Sequence, residues 1–184
     1  MQSENPDETT LSGSILLADP ALMDPHFHRS VLILHQHSPT QGAEGFILNR
    51  PMHRCLGEFL SGDEFRRLRR VPVFIGGPVD KEHVVLASLC PDPLDGKIRF
   101  RGRISANEAA ARLEEGFTIQ AFVGYAGWSA GQLEGEIKEA AWIFSPPHSS
   151  LLDLDPGEMW SEVLGSISPL HYILSKTPTD PSLN

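Results

Sequence analysis

The chain has 184 residues, 40% of them hydrophobic and 21% charged, and its 24 acidic against 15 basic side chains leave a net charge of −9. That length builds one domain with a proper core, and no apolar run approaches the ~20 residues of a membrane span. The acidic balance (pI about 5.3) opposes strong direct DNA binding, which needs a basic face.

The opening residues, MQSENPDETT, are polar and acidic and do not read as a signal peptide. Residues 1–12 are expected to be a disordered leader, 13–174 a single domain and 175–184 a flexible tail. Residues 13–18 (GSILLA) predict a first strand, closed by Asp19-Pro20, and residues 23–28 a turn or single helical turn. Residues 30–36 (SVLILHQ) form a nearly continuous apolar run and predict a buried strand. A short loop with Pro39 and Gly42 leads to a second strand at 45–48, so the two predict an antiparallel hairpin ended by Pro51. Residues 55–60 and 63–70 read as helical pieces, 73–75 as a strand running into Gly76-Gly77-Pro78, 84–89 and 98–101 as further strands. Ser105 caps a helix over 106–115 with Gly116 at its end, and Asp155-Pro156 starts another with Trp160, Val163, Leu164 and Ile167 on its apolar face. Cys55 and Cys90 lack a C-x-x-C or zinc spacing and read as reduced thiols of a cytoplasmic protein.

The stretch around which the rest is organised runs over residues 118–145. Residues 117–125 are rich in aromatic and β-branched types and predict a strand. Gly124, Gly127 and Gly131 are expected to break it into a sharp turn through Tyr125 and Trp128. Ser129 and Gln132 make a capping box, Leu133, Ile137 and Ala140 or Ala141 supply a helical stripe, and residues 142–144 resume as a strand. The pattern as a whole is α+β: a single domain with a mixed, largely antiparallel sheet flanked by helices.

Several groups carry chemistry on paper. Gly127-Trp128-Ser129-Ala130-Gly131 matches G-x-S-x-G, and Asp153 or Asp155 and then His171 follow in hydrolase order. The competing reading makes Ser129 a helix cap, and barely forty residues to His171 favour it. A third reading is an anion site at that helix start. His35 and His37, two apart on a strand, could share a face and chelate a metal, although no carboxylate or cysteine stands beside them at ligand spacing. Lys97, Arg99, Arg101 and Arg103 alternate along one strand, and Arg66, Arg67, Arg69 and Arg70 form a second basic cluster, each balancing acids or holding an anion.

Blocks in order resemble the YqgE/AlgH family: Leu16-Leu17-Ala18 with Pro20, Asp24-Pro25 with Phe27 and Arg29-Ser30-Val31, then His37, Gly42-Ala43, Gly45 and Asn49-Arg50-Pro51. Gly76-Gly77-Pro78-Val79, Gly124-Tyr125-Ala126-Gly127-Trp128, Gly131-Gln132-Leu133-Glu134, Glu136-Ile137 and Trp142 complete the set. The resemblance implies a single-domain α+β bacterial cytoplasmic protein of uncharacterised activity, some members of which carry a transcriptional-regulator label. No helix-turn-helix or basic recognition helix accompanies that label here. The family often has Gly at the place of Ser129, and an arginine and a histidine where this chain has His83 and Ser88.

The function expected is regulatory or binding rather than enzymatic, through a protein or small-molecule partner, without cofactor or metal and with nucleic acid disfavoured. A Ser129 hydrolase and a direct DNA-binding regulator are the alternatives. A ligand or anion site is expected where Arg29, Asn49, Arg50, Gly76, Gly77, Tyr125, Gly127, Trp128, Ser129 and Gln132 converge.

Overall fold

The computed structural model describes residues 10–167 and 173. Residues 1–9 of the expected leader, His171 and the expected tail lie outside the described residues. Among the described residues a nine-stranded sheet is formed by β1 (Ile15–Ala18), β2 (Val31–Ser38), β3 (Gly42–Ile47), β4 (Pro51–Cys55), β5 (Pro72–Ile75), β6 (Val79–Pro91), β7 (Ile98–Arg101), β8 (Thr118–Trp128) and β9 (Trp142–Ser145). Three α-helices pack on it: α1 (Ala106–Glu114), α2 (Gln132–Lys138) and α3 (Pro156–Ile167).

Everything is hung on β8. Its residues Ala121, Phe122 and Val123 pair with β5 in parallel and with β6 antiparallel, so this half of β8 runs between them. Its far end, Ala126 to Trp128, pairs antiparallel with β3 instead. From there the order continues β3, β2, β1, β9, all antiparallel. The sheet curls until its ends meet: the Ile98 N–H donates to the Pro147 carbonyl at 2.6 Å, and Lys97 bridges to His148. One parallel pair in an otherwise antiparallel sheet confirms the mixed, largely antiparallel α+β fold read from the sequence.

The continuous apolar runs are explained by burial on both faces. Ile15, Leu17, Val31, Ile33, Phe46 and Phe122 point to the face covered by Met159, Trp160, Val163 and Leu164 of α3. Their neighbours Leu16, Ala18, Leu32, Leu34 and Ile47 point to the other face, under Leu133 of α2. A third cluster joins Val73, Leu86, Ile119 and Ala121 to Ala109 and Ala110 of α1 and to Leu56 and Leu68. Each large aliphatic side chain buried in this way contributes about 1.5–3 kcal/mol.

Four expectations change. Tyr125 to Trp128 is not a bend: the strand runs on through Gly124 and Gly127, and the chain turns only after Trp128. Pro51 does not end the second hairpin strand but begins β4, an edge strand, where a missing N–H costs no ladder bond. Residues 63–68 wind as a 3-10 helix, and β6 starts at Val79, five residues earlier than its apolar run, with a register break between Val79 and Val84.

Candidate functional site

The Gly76-Gly77 pair crosses β8 at backbone contact distance. A Cβ on Gly77 would lie 2.1 Å from the Tyr125 carbonyl carbon, and one on Gly76 would lie 2.3 Å from the Gly124 oxygen. Gly124 answers from the other side with a φ of 70°, and a Cβ there would lie 2.6 Å from the Gly77 oxygen. The crossing lets β5 leave one edge of β8 and return as β6 on the other. Of the residues expected to converge, Gly76, Gly77 and Tyr125 do so, as scaffold. A similar approach seats the start of β3, where Gly42 (φ 100°) lies directly against the Trp128 carbonyl.

These crossings open a depression of about 530 Å³ beside β8, walled by Tyr125, Gly127 and Trp128 on one side and by His37, Ala43 and Glu44 of the β2–β3 hairpin on another. Val79 forms its rim and is 38% exposed. The Arg103 guanidinium grips Glu44 through two bonds of 2.9 and 2.6 Å and lies 5.2 Å from the Tyr125 ring centroid. The bond to Glu44 raises the Arg103 pKa above its ordinary value. Arg103 (φ 57°) and Asp80 (φ 55°), next to Val79, are both held left-handed. Such strain persists only where surrounding structure imposes it, and it gathers at functional sites. Asp80 in turn accepts from His83 at 2.6 Å, raising the His83 pKa.

Of the lining residues, His37 is held by Glu134 of α2. The His37 side chain is 2% exposed; its Nδ1 accepts the Leu11 N–H at 3.1 Å, so its proton sits on Nε2 and is donated to Glu134 at 2.9 Å. The Glu134 carboxyl is held below its usual range by its own backbone N–H first, then by His37. His35 does not share this face. A bulge between Leu34 and Gln36 reverses the alternation, and His35 packs instead on Phe46 and Phe100, where burial lowers its pKa. The expected histidine pair is therefore split across the sheet, and among the described residues no three His, Cys, Asp or Glu side chains are grouped to hold a metal.

Trp128 belongs to an aromatic cluster. Phe27 stacks on it at 6.3 Å and meets Trp142 edge-on at 5.5 Å, while Trp128 and Trp142 are T-shaped at 5.9 Å. Both indoles donate to one oxygen of Glu136, each at 2.8 Å, and its other oxygen accepts from Gln132 at 2.9 Å. Gln132 also accepts the Ser129 N–H and O–H through Oε1, both at 3.1 Å. Half of the expected capping box thus exists, but the helix N-cap is Gly131 (φ 74°), two residues later than Ser129. Asp155, one of the two carboxylates that follow Ser129 in hydrolase order, accepts the Gly157 N–H at the start of α3.

Arg29, Asn49 and Arg50 form a separate latch. The Asn49 side chain accepts from the Val31 N–H at 2.9 Å and donates to the Arg29 carbonyl at 3.0 Å. Arg50 donates to the His28 carbonyl at 3.0 Å, and burial lowers its pKa. The Arg29 guanidinium lies 5.3 Å from the Trp160 ring centroid. Together they fasten the loop that carries Phe27. Glu44 and Arg103, 59 residues apart, carry no sequence signal of their partnership; Glu134 and Glu136 stand in the recognised blocks with nothing to mark them, and His37 reads there only as half of a metal pair rather than as the partner of Glu134.

Comparison with known proteins bears on all of this. The AlgH-like family model matches residues 15–170. A UPF0301 protein of Chlorobaculum tepidum is 33% identical over 193 residues, covering 98% of this chain and 99% of its own. A UPF0301 protein of Thermobifida fusca is 31% identical over 194 residues, covering 97% and 98%. The solution structure of the AlgH protein of Pseudomonas aeruginosa superposes with a TM-score of 0.64 at 27% identity, covering 98% of this chain and all of that one. A crystal structure from Corynebacterium diphtheriae, at 21% identity and TM-score 0.68, shares the fold over 96% of this chain and 95% of its own. By family match, relatives and fold, the chain belongs to the AlgH-like family.

Proposed function

We propose that this chain is a non-catalytic binding protein of the cytoplasm, whose ligand is a small molecule seated in the depression between Tyr125, Trp128 and the β2–β3 hairpin. Any regulatory role runs through that ligand or the partner it recruits, not through DNA. The carrying observation is the depression itself: about 530 Å³, within the range of small-molecule sites, with aromatic walls, polar groups in its lining and two strained residues, Asp80 and Arg103, adjoining that lining. The polar groups around it are engaged in fixed pairs, Glu44 with Arg103 and His37 with Glu134, an arrangement suited to recognising shape and charge. Free thiols at Cys55 and Cys90 fit a reducing compartment.

A thermal-shift screen against metabolites, nucleotides and divalent metals tests the reading, because a ligand bound only to the native state raises Tm. A hit that also changes tryptophan emission and disappears in Val79→Glu supports it. No hit, or hits untouched by that substitution, removes it. The runner-up is a hydrolase using Ser129, which does stand where a strand passes into a helix; activated-ester hydrolysis lost in Ser129→Ala would install it instead.

A further inference from the structure

The two arginine clusters differ in a way the sequence does not show. Along residues 97–103 every cation is neutralised: Lys97 by Asp95, Arg99 by Asp92, Arg101 by Glu108 and Arg103 by Glu44. In the other cluster only Arg67 is paired, with Glu114 at 2.7 Å. Arg66, Arg69 and Arg70 are exposed and make no ion pair among the described residues. Three unneutralised guanidiniums within five residues are an unexpected concentration in a chain of net charge −9.

Their backbone is held firmly. Leu68 is fully buried, the Gly57 N–H donates to the Arg69 carbonyl at 3.1 Å, and the Leu56 N–H donates to Val71 at 2.8 Å. Gly57 is needed for this approach, since a Cβ there would meet Arg69 at 3.1–3.3 Å. The arginines stand between two adjoining depressions. One, of about 750 Å³, is lined by Arg66, Arg67, Arg69 and Arg70, with Leu113 and the carboxylate of Glu58, itself paired with Arg54, at its edge. The other, of about 540 Å³, shares Arg66 and Arg69 and continues past Asp63 onto Leu60 and Phe65.

We propose that this ridge is a second binding site, for a nucleoside triphosphate. Arg66, Arg69 and Arg70 hold the phosphates, for which planar guanidinium forks suit the oxygen geometry better than ammonium groups do. Leu60 and Phe65 seat the base in the neighbouring depression. The acidic remainder of the surface selects a compact anion over a long one, because a polynucleotide leaving the ridge meets net negative charge.

The test is fluorescence anisotropy of ribose-labelled ATP with the full chain at low salt. Unlabelled ATP, inorganic tripolyphosphate, adenosine and a single-stranded RNA dodecamer serve as competitors. Saturable binding is expected, displaced by ATP and by tripolyphosphate but not by adenosine, with ATP the stronger. Each of Arg66→Ser, Arg69→Ser and Arg70→Ser is expected to weaken it by about tenfold, and Phe65→Ala to remove the advantage of ATP over tripolyphosphate. Val79→Glu leaves it unchanged, which separates this site from the depression at β8. Each single variant is first checked for a native Tm, so that a loss of binding is not a loss of fold. No binding at millimolar ATP, serine variants within about twofold of the native chain, or RNA competing more strongly than ATP would each overturn the proposal.

Discussion

The Gly77→Ala substitution separates a scaffold from a ligand contact. Gly77 was expected at the site from its sequence block, yet the added methyl would stand 2.1 Å from the Tyr125 carbon, 2.2 Å from its oxygen and 2.3 Å from the Ala126 nitrogen. All three are backbone atoms of a strand paired to Val79 and Gly45, so nothing nearby can swing aside. The chains must part by more than 1 Å to reach ordinary contact near 3.4 Å. That movement strains overpacked backbone, at about 1–3 kcal/mol. It also threatens two hydrogen bonds of the crossing, Gly76 N–H to Val123 and Ile47 N–H to Gly76, each worth about 0.5–1.5 kcal/mol. The expected loss is therefore about 2–6 kcal/mol, a large part of the ~5–15 kcal/mol that holds a domain together. Urea unfolding followed by far-UV circular dichroism and tryptophan emission measures it. Gly135→Ala, on α2 with nothing within 4 Å of its added methyl, is the matched control and should stabilise by about 0.5–1 kcal/mol. A Gly77→Ala midpoint within about 0.5 kcal/mol of the native chain, at unchanged slope, would refute the crossing as described.

Glu136→Gln should cost about 1–3 kcal/mol and alter tryptophan emission, since one amide cannot accept from two indoles and also from the Gln132 amide. Urea midpoints and emission spectra together check this. Asn49→Ala leaves the Val31 N–H without its partner and should lose about 1–3 kcal/mol while loosening the loop under Phe27, seen as faster amide exchange over residues 27–31. His35 contributes a pH dependence of definite sign. Burial lowers its folded pKa, so the unfolded chain takes up a proton near 6.5 that the folded chain refuses. Stability should fall as pH drops below about 6.5 and level off below the folded value, and His35→Phe should flatten that limb in pH-resolved thermal melts. Glu134 acts at lower pH: its depressed pKa gives stability present above the ordinary carboxylate value and lost as pH falls through the folded one. In Glu134→Gln that acid limb should be shallower.

Much of this protein could be read locally. Ser105 before α1, Asp155-Pro156 before α3, the β2–β3 hairpin and the apolar runs of β1 and β2 are set by neighbouring residues, and each appears where the pattern placed it. The family blocks likewise marked the residues that meet at β8. Long-range contacts overrode local reading elsewhere. Glycine in a strand-like run looks like a turn, but Gly124 and Gly127 lie against Gly77 and Val79 of a chain that passes β8 from 45 or more residues away. One bulge moved His35 to the face opposite His37, and a period-two pattern contains no trace of it. The two basic runs at 66–70 and 97–103 part company because Glu108 and Glu44 are brought to the second from a helix and a distant strand, whereas in the first such a partner, Glu114, reaches Arg67 alone among the described residues. Element type follows from interactions within a few residues. Which polar groups remain available to a ligand depends on which strands pair, because pairing brings together partners whose separation in sequence carries no local signal.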